Sequence, residues 1–164
     1  MDKGGMETGV AIHFKDFDLE SAIREELGKP EGAITSGDLS SLTVFMAEKH
    51  EICDLSGLEH AINLDWLLLS RNQITDLSPL AGLVNLSRLF LYNNQITDVM
   101  PLAGLSKLER LFLPFNQISD VAPLAELSFL TKLYLFDNPI PEDQKSMLKE
   151  ALPDCKIYFS PQED

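Results

Sequence analysis

The sequence predicts an α/β solenoid with a short parallel β-sheet on a concave face and 3₁₀ or short helical turns on the convex face. A helical cap closes its N-terminal end, and a helix followed by a strand closes the other. Three observations predict this. Asn72, Asn94, Asn116 and Asn138 stand 22 residues apart. Apolar columns keep the same interval: Leu64, Leu86, Leu108 and Leu130; Leu67, Leu89, Leu111 and Leu133; Leu69, Leu91, Leu113 and Leu135; Ile74, Ile96, Ile118 and Ile140. Pro79, Pro101 and Pro123 mark a third recurrent point, the entry to a single turn on the return path.

The spacing L-x-x-L-x-L-x-x-N, repeating with a period of about 20–29 residues, is the leucine-rich-repeat signature. Within one unit, Leu67 and Leu69 alternate into the core from a short strand. Asn72 turns the chain, and its amide can bond the backbone of adjacent turns, so that the asparagines form a structural ladder. Ile74, Leu77, Leu80 and Leu83 fill the return path.

In chain order, residues 1–13 read as a flexible arm and 14–41 as a helical cap. Asp18 is the expected N-cap of a helix over about 19–27, which Gly28 and Pro30 end. Thr35 and Asp38 form a capping box for a second, very short helix. Residues 42–140 hold the repeats. The first is degenerate (Leu42, Phe45, Ala47, Ile52), with His50 where later units have asparagine; four standard strand rows follow. Residues 141–160 form the closing helix and last strand, with Met147, Leu148 and Ala151 inward, and 161–164 are a tail. Counting 22 residues onward places Leu152, Cys155 and Ile157 in the register of Leu130, Leu133 and Leu135, which makes Cys155 a small core residue.

A net charge of −13 argues against nucleic acid, whose backbone rewards clustered Lys and Arg, and against an anionic membrane surface. No stretch approaches the roughly 18 apolar residues of a membrane span. Met1 to Val10 lacks the apolar segment of a signal peptide. The compartment stays open: secreted or cell-surface if a signal peptide has been removed, cytoplasmic if Met1 is the natural start. Cys53 and Cys155 lie about five strand rows apart, more than ~20 Å, which no disulfide bridges.

The runs from Asn72 through Gln73-Ile74-Thr75-Asp76-Leu77-Ser78-Pro79 to Leu83, and from Asn94 through Gln95-Ile96-Thr97-Asp98-Val99-Met100-Pro101 to Leu105, resemble internalin-type repeats of bacterial leucine-rich-repeat proteins. The resemblance covers roughly residues 14–159 and implies a right-handed, curved solenoid with a protein-binding role.

In such a fold the strand residues between the core leucines face the concave side. Nine of the 13 aromatic residues fall in these columns. Trp66, Phe90, Tyr92, Phe112, Phe115, Tyr134 and Phe136, flanked by Arg88, Arg110 and Lys132, have the composition of a protein-interface hot spot. Aromatics on a sheet also stabilise one another across rows, and Tyr158 and Phe159 are expected to seal the end row. Asp54, Asp76, Asp98 and Asp120 stack at row spacing. They are read as bonding turn amides locally, with calcium the alternative.

His13, His50 and His60 are scattered, and no nucleophile-base pair, phosphate loop or metal-ligand spacing is present. The expectation is a monomeric, non-enzymatic module without cofactor that binds a protein partner of unknown identity through its concave face. A carbohydrate or cell-wall binder using the aromatic row, and an intracellular regulatory subunit of an enzyme, are the alternatives.

Overall fold

In a computed structural model, which describes residues 9–161, three helices and six strands follow in the order α1 (Phe17–Leu27), α2 (Ser36–Ser40), β1 (Val44–Met46), β2 (Trp66–Leu68), β3 (Arg88–Phe90), β4 (Arg110–Phe112), β5 (Lys132–Tyr134), α3 (Glu142–Ala151) and β6 (Lys156–Tyr158). The strands form one parallel sheet in sequence order. Four 3₁₀ turns, Leu58–His60, Ser78–Leu80, Met100–Leu102 and Ala122–Leu124, carry the return path. Three of them have proline in their first positions, where no intrahelical donor is needed. No described helix is long and apolar enough to cross a membrane.

The core is a column of aliphatic side chains. Leu86, Leu89, Leu91, Ile96, Val99, Leu102 and Leu105 of one unit are all fully buried, and the flanking units match them. One unit cannot bury this face alone, so each row depends on its neighbours.

Where each strand leaves the sheet, the chain bends away and leaves backbone groups unpaired. The asparagines satisfy them. Asn94 Nδ2 donates to Leu69 O and Leu91 O, both at 3.1 Å, while its Oδ1 accepts from Ile74 N at 3.1 Å. Asn116 serves Leu91 O, Leu113 O and Ile96 N in the same way, and Asn138 serves Leu113 O, Leu135 O and Ile118 N. Asn72 accepts from both His50 N and Ile52 N. His50 therefore joins the ladder only through its backbone, and its side chain is exposed.

At the N-terminal end, α1 and α2 contribute Leu19, Ile23 and Leu39 to the same core. The N-cap of α1 is Asp16, not the expected Asp18, and the helix begins two residues earlier than expected. Asp16 is chosen because it is buried and serves two elements. One carboxylate oxygen accepts from Leu19 N at 2.9 Å, and the other accepts from Cys53 N and Asp54 N at 2.7 and 3.1 Å. Asp18 sits exposed in the first turn. Gly28 ends α1 in the left-handed region, and the Thr35–Asp38 capping box opens α2. Residues 1–8 of the expected arm lie outside the described residues. Within its remainder, Ala11 bridges Thr35, and Ile12 N donates to Ile34 O at 2.7 Å.

The last row departs from the 22-residue ruler. Lys156, Ile157 and Tyr158 pair with Lys132, Leu133 and Tyr134, an offset of 24 residues. The reason is α3: ten residues of α-helix replace the three-residue 3₁₀ turn of the other units. Ile157, not Cys155, occupies the column of Leu133, and Cys155 is half-buried one position before the strand. Phe159 packs against the core rather than facing the concave side. In α3, Leu148 is buried and Met147 packs beside the core, but Ala151 is exposed. Of the expected tail, residues 162–164 lie outside the described residues.

Two outcomes follow. Asn94→Ala leaves the buried Ile74 amide unpaired and takes one of two side-chain donors from each of Leu69 O and Leu91 O, which Asn72 and Asn116 still serve. It should lower stability by about 1–3 kcal/mol, read as a fall in the urea midpoint. The second concerns Asp16. Burial raises its pKa, but the amides of Cys53, Leu19 and Asp54 outweigh burial and hold it below the ordinary 3.8. A depressed folded pKa means that the stabilisation is complete above the unfolded value and is lost as pH falls through the folded one. Asp16→Asn should therefore be less stable than wild type at pH 7 by about 1–3 kcal/mol, and the gap should narrow in melts run at progressively lower pH below about 4.

Candidate concave binding face

Side chains two residues apart on a strand share a face, so each row presents two columns from its strand and two more from the turn that follows. The first column runs Val44, Trp66, Arg88, Arg110, Lys132, Lys156. The second runs Met46, Leu68, Phe90, Phe112, Tyr134, Tyr158. The sequence placed Lys156 and Tyr158 one column further on, because the ten-residue helix in the last unit leaves no trace in the repeat count.

The second column is a stack of rings. Phe90 and Phe112 lie 4.3 Å apart at 13°, Phe112 and Tyr134 4.4 Å at 10°, and Tyr134 and Tyr158 4.3 Å at 14°. Tyr158 thus extends the stack. Beside it, Tyr92, Phe115 and Phe136 pack edge to face at 6.2 and 5.6 Å. Together with Pro114, Ser70 and Glu48, this second group and Phe90, Phe112 and Tyr134 of the stack line a shallow cavity of about 320 Å³. Apart from Glu48 at its rim, the charged residues stand outside it.

The four rings of the stack are each half-buried, largely by their neighbours. Trp66 and Phe115 are more open, at 36% and 47% exposure. Arg88 lies over the Trp66 ring at 4.0 Å, and Arg71 over that of Tyr92 at 5.2 Å while donating to its hydroxyl. The Arg88 Nε–H is buried without an acceptor. Such orphan donors are rare in folded proteins.

The fourth column carries a feature that sequence reasoning missed. Lys49, Arg71, Asn93, Phe115 and Asp137 all have φ between 54° and 62°. This is the left-handed region, which Asn and Asp tolerate and a bulky side chain resists. The ladder needs it: the backbone must swing over before the asparagine can turn inward, and Phe115 N still donates to Phe136 O at 3.2 Å. Asn93 and Asp137 obey the local rule; Lys49, Arg71 and Phe115 break it, and of these three only Phe115 brings an aromatic ring. A half-exposed phenylalanine in a conformation that disfavours it is a residue kept for its ring.

The remaining sequence candidates resolve into structural roles. Asp54, Asp76, Asp98 and Asp120 each accept from the amide two residues on, at 2.7–2.9 Å, which opens the following 3₁₀ turn. The described residues contain no group of three or more metal-ligating side chains. Burial pushes the Cys155 thiol up to about 11. A hydrogen bond to Asp16, then burial and nearby carboxylates, also raises that of Cys53. Both are protonated at neutral pH and are poor nucleophiles.

A family profile described as Leucine Rich repeats (2 copies) matches residues 62–104. No curated protein matches the chain. Among solved structures, an internalin (inlF) from Listeria monocytogenes superposes with a TM-score of 0.75 at 26% identity, over 88% of this chain and 56% of its own. The chain is an internalin-type leucine-rich-repeat protein. A leucine-rich-repeat protein from Leptospira interrogans gives a TM-score of 0.70 at 33% identity, over 75% of this chain and 32% of that one. An internalin C2 from Listeria monocytogenes is 30% identical over 88% of this chain and 83% of its own, with a TM-score of 0.47. This internalin-type chain therefore spans about half the length of the first relative and a third of the second. Leucine-rich-repeat folds generally mediate protein–protein interaction, and the internalin-like family is typically non-enzymatic.

The strain at Phe115 makes a distinct prediction. In Phe115→Asn the relief of backbone strain offsets the loss of two edge contacts, so stability should change by less than about 1 kcal/mol. Phe115→Val removes the ring and places a β-branched residue in the left-handed region, and should cost more than about 1 kcal/mol. Paired urea titrations check the difference.

Proposed function

We propose that this chain is a protein-recognition module that seats a protein partner on its concave face, over the rings of Phe90, Phe112, Tyr134, Tyr92, Phe115 and Phe136. The observation that carries this reading is Phe115. The backbone is left-handed at that position in five successive rows, yet here the sequence holds an exposed aromatic ring at a conformational cost. Core packing does not require that ring. A surface that binds an apolar side chain of a partner does.

The composition fits. Aromatic residues and arginine are the groups enriched at interface hot spots, and such hot spots sit in shallow, well-packed concavities. Trp66, Arg88 and Arg110 lie at one margin of the face and Arg71 at the opposite one. They supply a polar rim around an apolar centre. Nothing in this reading calls for bond-making chemistry: the work of the face is selection and affinity.

The test compares wild type with the triple variant Phe112→Ala, Phe115→Ala, Tyr134→Ala, immobilised at equal density. Each lost stacked contact costs about 0.5–1.5 kcal/mol, so the variant should still fold, with far-UV circular dichroism unchanged. The proteins retained by wild type should be lost by the variant. Equal retention of the same proteins by a folded triple variant would sink the assignment of this face.

A further inference from the structure

The observed register creates a feature the 22-residue count concealed: four cations, Arg88, Arg110, Lys132 and Lys156, stand in consecutive rows of one column. Adjacent rows are roughly 4.8 Å apart, and like charges directly opposite one another destabilise a sheet. None of the four makes an ion pair among the described residues. Asp65 and Glu109 each precede the column by one residue, yet neither bridges to it; Asp65 accepts from the Ser87 hydroxyl instead. A chain of net charge −13 has carboxylates in excess, yet among the described residues none is ion-paired to this stripe. In every row the cation is followed two residues on by a ring of the stack: Arg88 by Phe90, Arg110 by Phe112, Lys132 by Tyr134 and Lys156 by Tyr158. The face is thus two parallel stripes, one cationic and one aromatic, both running along the solenoid axis.

We infer that the partner presents an amphipathic α-helix lying along this axis, with an acidic stripe on the four cations and an apolar stripe on the rings. The inference rests on the concave face being the binding surface and adds the chemistry of what binds. The geometry separates a helix from an extended segment. A helix returns a side chain to the same face once per turn, every ~5.4 Å, close to the ~4.8 Å between rows. Over the three intervals from Arg88 to Lys156 the two repeats drift apart by about 2 Å, which flexible Arg and Lys side chains span. An extended strand presents same-face side chains every ~6.6 Å. It would meet only about two further cations over that length. A helix also carries its acidic and apolar stripes side by side along its length, which is how the two columns of this face are arranged.

The experiment uses the full chain and synthetic peptides of about 16 residues, stapled by lactam bridges because short free helices are marginal in water. One peptide carries Glu at every helical turn beside a Leu stripe. A second has Gln for Glu, a third Lys for Glu, and a fourth is the acidic sequence broken by two prolines. Fluorescence anisotropy should give the acidic helix at least tenfold tighter binding than the Gln helix or the proline-broken peptide, with the advantage shrinking as salt is raised. In Arg110→Glu/Lys132→Glu the preference should invert toward the Lys helix, while Lys107→Glu, outside the face, should leave it unchanged. Equal affinity for the Glu, Gln and Lys helices would overturn the inference. So would equal or tighter binding of the proline-broken peptide, or of polygalacturonate as an anionic glycan. If the aromatic triple variant loses its retained proteins while no stapled acidic helix binds, the helix inference falls and the concave-face reading stands. If that variant keeps them, the reading beneath it falls as well.

Discussion

The asparagine ladder is the constraint on which the rest of the structure depends. A strand of three residues followed by a sharp turn leaves carbonyls and amides that neither the sheet nor the return path can pair. Unpaired and buried, each would cost about 1–3 kcal/mol. A side chain with both a donor and an acceptor end, placed inside the turn, satisfies groups in its own row and in the row before it. Glutamine would reach too far, and aspartate has no donor. Because the bonds cross between rows, they fix the stacking register as well as the turn. Aligned columns of concave side chains are a by-product of that register.

The same logic explains how the ends differ from the middle. Asp16 does for the first repeat what an asparagine does elsewhere, accepting from the Cys53 and Asp54 amides, but it does so from the helical cap and so ties α1 to the solenoid. At the other end the ladder finishes with Asn138, and α3 covers the last row. Gln144 in that helix accepts from Val121 N at 3.1 Å, reaching back into the preceding unit.

The scaffold was legible because it repeats: period, core columns, ladder and 3₁₀ turns each appear several times, and repetition averages out local ambiguity. What the sequence hid was what occurs once. Asp16 and Asp18 are equally good caps by residue type, and only the position of Cys53 and Asp54 in space distinguishes them. The two-residue offset of the last row is set by a helix whose length a fixed ruler cannot anticipate. Facing survived that error, since strand side chains alternate with period two, and Ile157 still points inward. Column membership in the last row did not, and Lys156, the fourth cation of the stripe, was missed with it. Trp66, Arg88, Arg110 and Lys132 stand in the column where the sequence put them; that the three cations make no ion pair among the described residues is a statement about distances. The left-handed backbone at Phe115 was likewise invisible, because a phenylalanine there contradicts the local preference that would have revealed it.

The ring stack has a thermodynamic consequence. An exposed side chain that is free in solution must be frozen when a ligand covers it, at about 0.5–1.5 kcal/mol each. Phe90, Phe112, Tyr134 and Tyr158 are already immobilised against one another at 4.3–4.4 Å, half-buried but with one side open. Their entropy is surrendered when the solenoid folds and is met by core burial, not by binding. A partner arriving at this face encounters a surface that is apolar and already rigid, so more of the contact free energy it makes survives as affinity.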